Sequence, residues 1–271
     1  MRFLPTFLMF LCFEVIQGQS VSPFIDAKGL GMGGVYSTLT DESSILNNAG
    51  ALAFADRTGI IVSSEISPLL PGANRSAVGI VMPVHWGTLG MSFYRFGDDV
   101  YSEQIASVGY GNKLGIGSLG VRVNAIQYRS SNANVRTGVS VDFGGVTQII
   151  PGLFVVAFGT NLSQTNLTGQ EVLPSRLLAG MRYEPNSSWV IATEVEKDLL
   201  YAASWRLGIE HGMRNRIFFR TGIGLHPYSY HWGIGGRRNK IKADVAMAYS
   251  QAIGWRIQAS AICAIRSKSG K

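Results

Sequence analysis

Residues Ile25 to Phe54 read IDAKGLGMGGVYSTLTDESSILNNAGALAF, and this stretch decides how the rest of the chain is interpreted. It contains no strand-like alternation and no long amphipathic helix. After it, almost the whole chain alternates apolar and polar residues with a period of two. One irregular segment followed by many short strands predicts a plug inside the wall of a barrel. The plug candidates in this segment are Gly29, Gly31, Gly33, Gly34, Asp41, Glu42 and Asn48.

A short helix-compatible piece, residues 43–48, follows two carboxylates in this segment. Asp41 and Glu42 lie where negative charge favours the N-terminus of a helix. We also expect these carboxylates to pair with arginines inside the barrel, such as Arg206, Arg220 or Arg256. The segment is therefore predicted to gate or seal the lumen.

The alternating pattern predicts an even number of strands, fourteen, as closed bacterial barrels require. In the strand 241–249, Ile241, Val245 and Tyr249 share one face, and Lys242 and Asp244 share the other. About 15 residues per strand and connection leave room for the roughly 9–11 residues that a tilted spanning strand needs. The predicted strands are 57–66, 75–83, 87–96, 102–111, 116–128, 134–143, 153–162, 175–184, 188–197, 202–211, 215–225, 228–236, 241–249 and 254–265.

The composition favours a membrane barrel over a soluble β-sandwich, which would show the same period of two. Charged residues make up only 15% of the chain, whereas a soluble domain carries about 25%. The chain also has 33 glycines, which tight turns and bent strands tolerate. The predicted fold is an all-β, 14-stranded antiparallel transmembrane β-barrel formed by residues 55–271, which end in a short basic tail.

The first twenty residues resemble a secretory signal peptide, with Arg2 before an apolar run, 3–13, and the small residues Gly18 and Ser20 near its end. We therefore expect residues 21–54 to form the plug segment of a mature protein in the outer membrane of a Gram-negative bacterium. Removal of the leader leaves Cys263 as the single cysteine, so no intramolecular disulfide is expected.

The polar faces of the predicted strands supply a set of candidates for the lumen. Opposite charges among them are expected to pair across neighbouring strands. A functional alternative is a polar pathway past a movable plug. The lumen candidates are Glu194, Glu196, Arg206, Glu210, Arg216, Arg220, His231, Lys242, Asp244 and Arg256.

Several other functions are disfavoured by the sequence. Gly29, Gly31 and Gly34 satisfy G-x-G-x-x-G, but no buried strand precedes them and no parallel-sheet pattern follows, as nucleotide binding would require. The arginines are dispersed rather than grouped in a basic run, which disfavours nucleic acid as a partner. His231, near Ser229, is the best candidate for a base, yet no catalytic constellation is convincing. We expect neither a metal nor another cofactor.

Both ends of the chain resemble one family. The stretches GLGMGG (29–34) and DESSILNNAGALAF (41–54) are similar to the N-terminal signature of FadL-like and PorV/PorQ outer-membrane proteins. LGIEHGMRNRIFFRTGIGL (207–225) and DVAMAYSQAIGWRIQASAI (244–262) resemble the last strands of the FadL-like group. The resemblance implies a non-enzymatic outer-membrane barrel.

Two functions follow from this resemblance. The first is a PorV/PorQ-like accessory that binds a protein partner in type IX-like secretion. The alternative is a FadL-like channel for hydrophobic small molecules. Uptake barrels of the FadL type have substantial outer loops, and the loops predicted here are short, which favours the partner-binding hypothesis. The expected partners are outer-membrane lipid and either a secretion-system protein or a hydrophobic small molecule.

A basic rim is also predicted. If the plug begins in the periplasm, one end of the barrel gathers Lys113, Arg214, Arg216, Arg237, Arg238 and Lys240, and the tail adds Arg266, Lys268 and Lys271. One interpretation is a set of solvated turns. The other is a basic collar for anionic lipid headgroups or an acidic partner.

Overall fold

A computed structural model describes residues 23–131, 133–165, 173–199 and 201–267 of the chain. The predicted signal peptide and the tail residues 268–271 lie outside these ranges. In the described residues, fourteen strands form one closed antiparallel barrel. Each strand pairs with its neighbours in sequence, and the first strand pairs with the last. The predicted fold class is confirmed.

The strand bounds agree closely with the alternating pattern. They are β1 (Arg57–Ile66), β2 (Arg75–Val84), β3 (Gly87–Gly97), β4 (Tyr101–Leu114), β5 (Gly117–Ser130), β6 (Ala133–Ile150), β7 (Leu153–Thr160), β8 (Arg176–Asn186), β9 (Trp189–Asp198), β10 (Ser204–Met213), β11 (Ile217–Leu225), β12 (Ser229–Arg238), β13 (Ile241–Ser250) and β14 (Gly254–Ser267).

One strand is much longer than its sequence pattern indicates. The pattern predicts an end at residue 143, but β6 continues to Ile150. Both neighbours hold this extension, because Gly144 pairs with Gly120 of β5 and with Phe158 of β7. The predicted loop at 144–152 is therefore wrong, and only residues 151–152 form the turn.

The two faces of the wall follow the predicted alternation. In β14, Ile257 and Cys263 are exposed on the outer face, whereas Gln258 and Ser260 are buried on the inner face. A run of large apolar side chains, including Ile234 and Val245, covers the outer face. Such a surface is suited to hydrocarbon, while the inner face encloses polar groups.

We call the end of the barrel where β1 begins the proximal end, and the opposite end the distal end. The proximal turns are short, as at residues 115–116 and 151–152. The distal connections are longer on average and include residues 67–74 and the segment between β7 and β8. The two ends therefore differ in how much chain covers the lumen.

The stretch before the wall contains α1 (Ala27–Gly31), α2 (Ser44–Asn47) and a 3₁₀ helix at Ala49–Phe54. A second 3₁₀ helix, Pro71–Ala73, lies in the first distal connection. None of the helices in the described residues is long and apolar enough to cross a bilayer.

Candidate functional site

Residues 24–56, which we call the lumen segment, pack against the inner face of the wall. Ile25, Leu30, Val35, Ile45 and Leu52 are completely buried. Helix α1 contacts β11 to β14, and the 3₁₀ helix of the segment contacts β3 to β6. The segment thus touches opposite sides of the same barrel.

Close approach between segment and wall depends on glycines in the strands. A Cβ atom added to Gly120 would lie 2.1 Å from the carbonyl oxygen of Ala49, and one added to Gly222 would lie 2.2 Å from the backbone nitrogen of Gly33. Any larger residue would force the segment away from the wall. The strand glycines with such contacts, here called the wall glycines, are Gly59, Gly79, Gly90, Gly109, Gly111, Gly120, Gly144, Gly180, Gly208, Gly222 and Gly233.

The wall glycines were missed in the sequence, where glycine was assigned to turns and bends. Their signal was present, because all of them except Gly144 sit at inward positions of predicted strands. In β4, for example, Gly109 and Gly111 share the inner face with Ser107. Glycine repeated on one face of a strand marks a surface that another backbone approaches.

The plug candidates among the glycines all lie buried in the lumen segment. Gly33 and Gly34 have φ angles of +77° and +81°, which favour glycine. Gly29 leaves room for the ring of Tyr36, and Gly31 for the backbone of Gly233. These glycines fold the segment tightly enough to fit between the walls.

Asn48 organises the second half of the segment. Its side-chain oxygen accepts a hydrogen bond from the backbone nitrogen of Gly50 at 2.8 Å, which caps the 3₁₀ helix. Its amide nitrogen donates to the carbonyl oxygen of Ser37, also at 2.8 Å. One buried side chain therefore ties the two halves of the segment together.

Glu194 of β9 is the main wall anchor of the first half of the segment. One of its oxygens accepts hydrogen bonds from the backbone nitrogens of Tyr36 and Ser37, at 3.1 and 2.7 Å. The other oxygen lies 2.7 Å from the guanidinium of Arg206. The Glu194 side chain is fully buried, so each of these partners replaces water.

Asp41 and Glu42 of the segment pair with lysines instead of the expected arginines. Glu42 lies 2.8 Å from the ammonium group of Lys242, and Asp41 lies 3.4 Å from that of Lys28. Burial raises the pKa of Asp41, but the charges of Lys28 and Lys242 and hydrogen bonds from Ser43 outweigh this and lower it. Asp41 accepts from the Ser43 backbone nitrogen, just before α2.

The expected arginines have other partners. Arg220 pairs with Glu210 at 2.5 Å and with Asp244 at 2.6 Å, which brings three predicted residues together on three strands. Arg206 also contacts Glu196, at 2.6 Å. The strand register sets Glu210 directly opposite Arg220, and Glu194 directly opposite Arg206.

The remaining lumen candidates have separate environments. Arg256 lies 4.0 Å from Glu65 and is its looser partner, because Arg75 binds the same carboxylate at 2.8 Å. His231 is buried, with Nδ1 2.7 Å from the carbonyl oxygen of Leu30 and Nε2 2.9 Å from the Ser229 hydroxyl. Arg216 is exposed in the turn before β11.

Asp26 was not identified from the sequence. Its carboxylate caps α1 by accepting from the backbone nitrogen of Lys28 at 3.2 Å. Burial, together with the nearby charges of Asp41 and Asp244, raises the pKa of Asp26 to about 7. The neutral acid is therefore favoured in the folded protein over much of the acidic range.

Two cavities lie between the lumen segment and the distal end. The apolar cavity, of about 80 Å³, is lined by Leu46, Tyr94, Ile105, Ile126 and Leu173. Polar and charged groups also line it, among them Glu103, Arg122, Asn124, Asp142 and Arg176. The arginine cavity, of about 260 Å³, lies against Phe24, Leu30, Gly34 and Tyr36 of the segment. Its wall groups include Glu65, Arg75, Arg176, Glu196, Arg206, His231 and Arg256.

A third hollow, of about 290 Å³, opens at the proximal end beside Glu42, Asp56 and Lys240. Residues of the lumen segment thus line both distal cavities and the proximal hollow. Within the described ranges, no group of three or more histidine, cysteine or acidic side chains is arranged to hold a metal ion.

Solved hydrocarbon channels have a similar fold. The CymD monoaromatic hydrocarbon channel matches with a TM-score of 0.69 and 10% identity, over 90% of this chain and 98% of that chain. The toluene transporter TodX of P. putida matches with a TM-score of 0.67 and 10% identity, over 91% and 100% of the two chains. A FadL homologue from Pseudomonas aeruginosa matches with a TM-score of 0.61 and 12% identity, over 90% of this chain and 99% of that chain.

Identities this low show the fold alone, and the fold is that of FadL-type outer-membrane barrels. No protein-family model matches the chain, and no curated protein matches it.

Proposed function

We propose that the protein is an outer-membrane channel for small hydrophobic molecules, and that its lumen segment is the plug. The observation that carries this proposal is the apolar cavity near the distal end. Leu46 of the lumen segment forms part of its lining. The similarity of the barrel to CymD and TodX, named as a monoaromatic hydrocarbon channel and a toluene transporter, supports the same substrate class.

In this proposal the distal end faces outward and the proximal end faces the periplasm. A small apolar molecule enters the apolar cavity, whose isoleucines, leucines and tyrosine remove it from water. The neighbouring Arg122–Asp142 pair is internally satisfied at 2.8 Å, so an uncharged ligand does not leave it unpaired. Transport then requires the lumen segment to shift, because its residues line both this cavity and the proximal hollow.

Toluene entry into Gram-negative cells that express the protein tests the substrate class. We expect Ile105→Trp, which fills the apolar cavity, to reduce the initial entry rate at least severalfold. Ala106→Trp is the matched control, because it adds the same ring on the outer face of the same strand. Equal entry rates for the two variants, both folded, would refute a role for this cavity.

The plug is tested separately by deletion of residues 25–50. In a barrel that still folds, the single-channel conductance in planar bilayers is expected to rise. An unchanged conductance would mean that wall side chains close the lumen.

The alternative hypothesis, a PorV/PorQ-like accessory that binds a protein partner, receives no support from the structural neighbours. A pull-down from detergent-solubilised outer membrane distinguishes the two functions. A bound hydrocarbon supports the channel, whereas a stoichiometric secretion-system protein supports the accessory role.

A further inference from the structure

Two neighbouring turns at the proximal end concentrate positive charge. These turns and the adjoining end of β12 carry Arg214, Arg216, Arg237, Arg238 and Lys240, which we call the basic collar, and all five are exposed. The turns are adjacent, because the backbone nitrogen of Arg237 donates to the carbonyl oxygen of Arg216 at 2.7 Å. The collar thus runs from the outer rim at Arg238 to the mouth of the proximal hollow, which Arg237 and Lys240 line.

The collar differs from the arginines inside the barrel in having no acidic partners. Interior arginines such as Arg75 and Arg122 lie 2.8 Å from a carboxylate. By contrast, no collar cation lies within 4.0 Å of a carboxylate in the part of the chain that the structure describes. The Arg237 guanidinium instead lies over the ring of Phe218, with 5.3 Å to the ring centre.

The turns hold these cations in fixed places. Arg214 and Asn215 both have positive φ angles, of 51° and 54°, and Asn239 has a φ of 54°. Such conformations are typical of tight hairpin turns, whose backbone has little freedom. The charges therefore remain at the barrel rim and do not disperse on a long loop.

The collar also borders the apolar outer face of the wall. Ile217 follows Arg216 directly and is 44% exposed, and Ile241 follows Lys240 and is 55% exposed. Because outward apolar residues lie in hydrocarbon, the charged groups beside them lie at the level of the lipid headgroups. At the distal ends of the same strands, the turns 226–228 and 251–253 contain neither lysine nor arginine.

We propose that the basic collar binds the phosphate groups of anionic lipids in the leaflet that surrounds the proximal end. Guanidinium groups donate two parallel hydrogen bonds to phosphate, and unpaired cations lose no existing ion pair when they bind it. Phosphatidylglycerol is a suitable probe, because its net negative charge distinguishes it from zwitterionic phosphatidylcholine. Lys113 lies apart from this surface, with its ammonium 5.1 Å from the Phe54 ring centre.

The test compares two double variants in nanodiscs of phosphatidylcholine with a minor fraction of phosphatidylglycerol. Arg214→Ser/Arg238→Ser changes the part of the collar outside the proximal hollow, and Arg95→Ser/Arg129→Ser removes the same charge from exposed distal positions. Phosphatidylglycerol that remains bound after detergent extraction is counted by native mass spectrometry. At low salt we expect roughly tenfold weaker retention in the collar variant alone, from the loss of two cations near the headgroups.

Two further measurements complete the test. At 1 M salt, where the Debye length is about 3 Å, the difference should largely disappear. Arg214→Lys/Arg238→Lys, which keeps the charge, should retain most of the lipid and shows that loss is not due to misfolding. Equal retention by both serine variants would overturn the proposal. So would unchanged lipid retention accompanied by loss of an acidic protein from membrane extracts, which would assign the collar to that protein.

Discussion

The two halves of the lumen segment are held in different ways. Residues 24–42 meet the β8–β14 side of the barrel through directional polar contacts, including those of Glu194 and Lys242. Residues 43–56 meet the β2–β6 side mainly by close packing against wall glycines such as Gly90 and Gly120. Changes in charge or pH are therefore expected to alter the attachment of the first half to the wall. Added side-chain bulk is expected to alter the attachment of either half. If the plug moves, we expect the first half to detach before the second.

Among the changes considered, removal of the Glu194 carboxylate should weaken the attachment of the first half to the wall most. Glu194→Ala leaves Arg206 with one fewer acidic partner and leaves two backbone nitrogens of the segment without an acceptor. Loss of one member of a buried ion pair costs about 3–5 kcal/mol. Thermal unfolding in detergent, followed by loss of heat-modifiable mobility, measures the change. Glu184→Ala, at a partly exposed acid that pairs with Arg182, is the control and should have a small effect.

The buried acid Asp26 should make stability depend on pH. Its pKa is about 7 in the folded protein and near 3.8 when unfolded. The folded state therefore binds more protons between these values, and stability falls as pH rises through this window. Asp26→Asn keeps the cap of α1 but has no proton to lose, so it should stabilise by about 2–4 kcal/mol at pH 8.

At pH 4 the same substitution should be close to neutral, because Asp26 is then largely protonated in the folded protein. Unfolding midpoints of wild type and variant at both values measure the difference. Equal shifts at pH 4 and pH 8 would contradict the assignment of a raised pKa to Asp26.

A side chain at Gly120 should disrupt the second half by bulk alone. Gly120→Val places atoms against the Ala49 carbonyl, and overpacking of this kind costs about 1–3 kcal/mol. Gly236→Val is the matched control, since a Cβ there lies 4.0 Å from its nearest neighbour. The same unfolding assay, at any pH, should separate the two variants. No difference between them would mean that the packing at Gly120 is easily relieved.

The smallest effect is expected at the ion pair between Lys242 and Glu42. Lys242→Met removes a partly exposed pair worth about 1 kcal/mol or less. It should also raise the frequency of brief conductance steps, because it frees the first half of the segment at the proximal end. Arg95→Met, at an exposed cation of the distal end, should leave both stability and conductance unchanged. Identical traces would indicate that this pair does not restrain the segment.

Much of the wall was predictable because alternation is a local property of the chain. Ile257 and Cys263 face outward, and Gln258 and Ser260 inward, as their positions in β14 predict. The bounds failed at β6, where glycines that resemble a loop are held in the strand by both neighbours. The local sequence pattern contains no information about a pairing partner that lies far away in the sequence.

The candidate site was predictable in composition but not in its contacts. The glycines and carboxylates of the lumen segment were recognised, yet their partners were not. Glu42 was expected to bind an arginine and instead binds Lys242, 200 residues away. The wall glycines were overlooked because their role depends on a second backbone that only the folded barrel brings near.

By itself, the sequence determined the class of wall, the number of strands and the residues that face lipid. These features follow from a period of two, a low charge content and the length of each apolar run. Only the tertiary structure decided which glycines receive the lumen segment, which acid neutralises which base, and where the cavities remain. Those outcomes depend on strand register and barrel closure, which bring together groups such as Ala27 and Ser260, 233 positions apart in the chain.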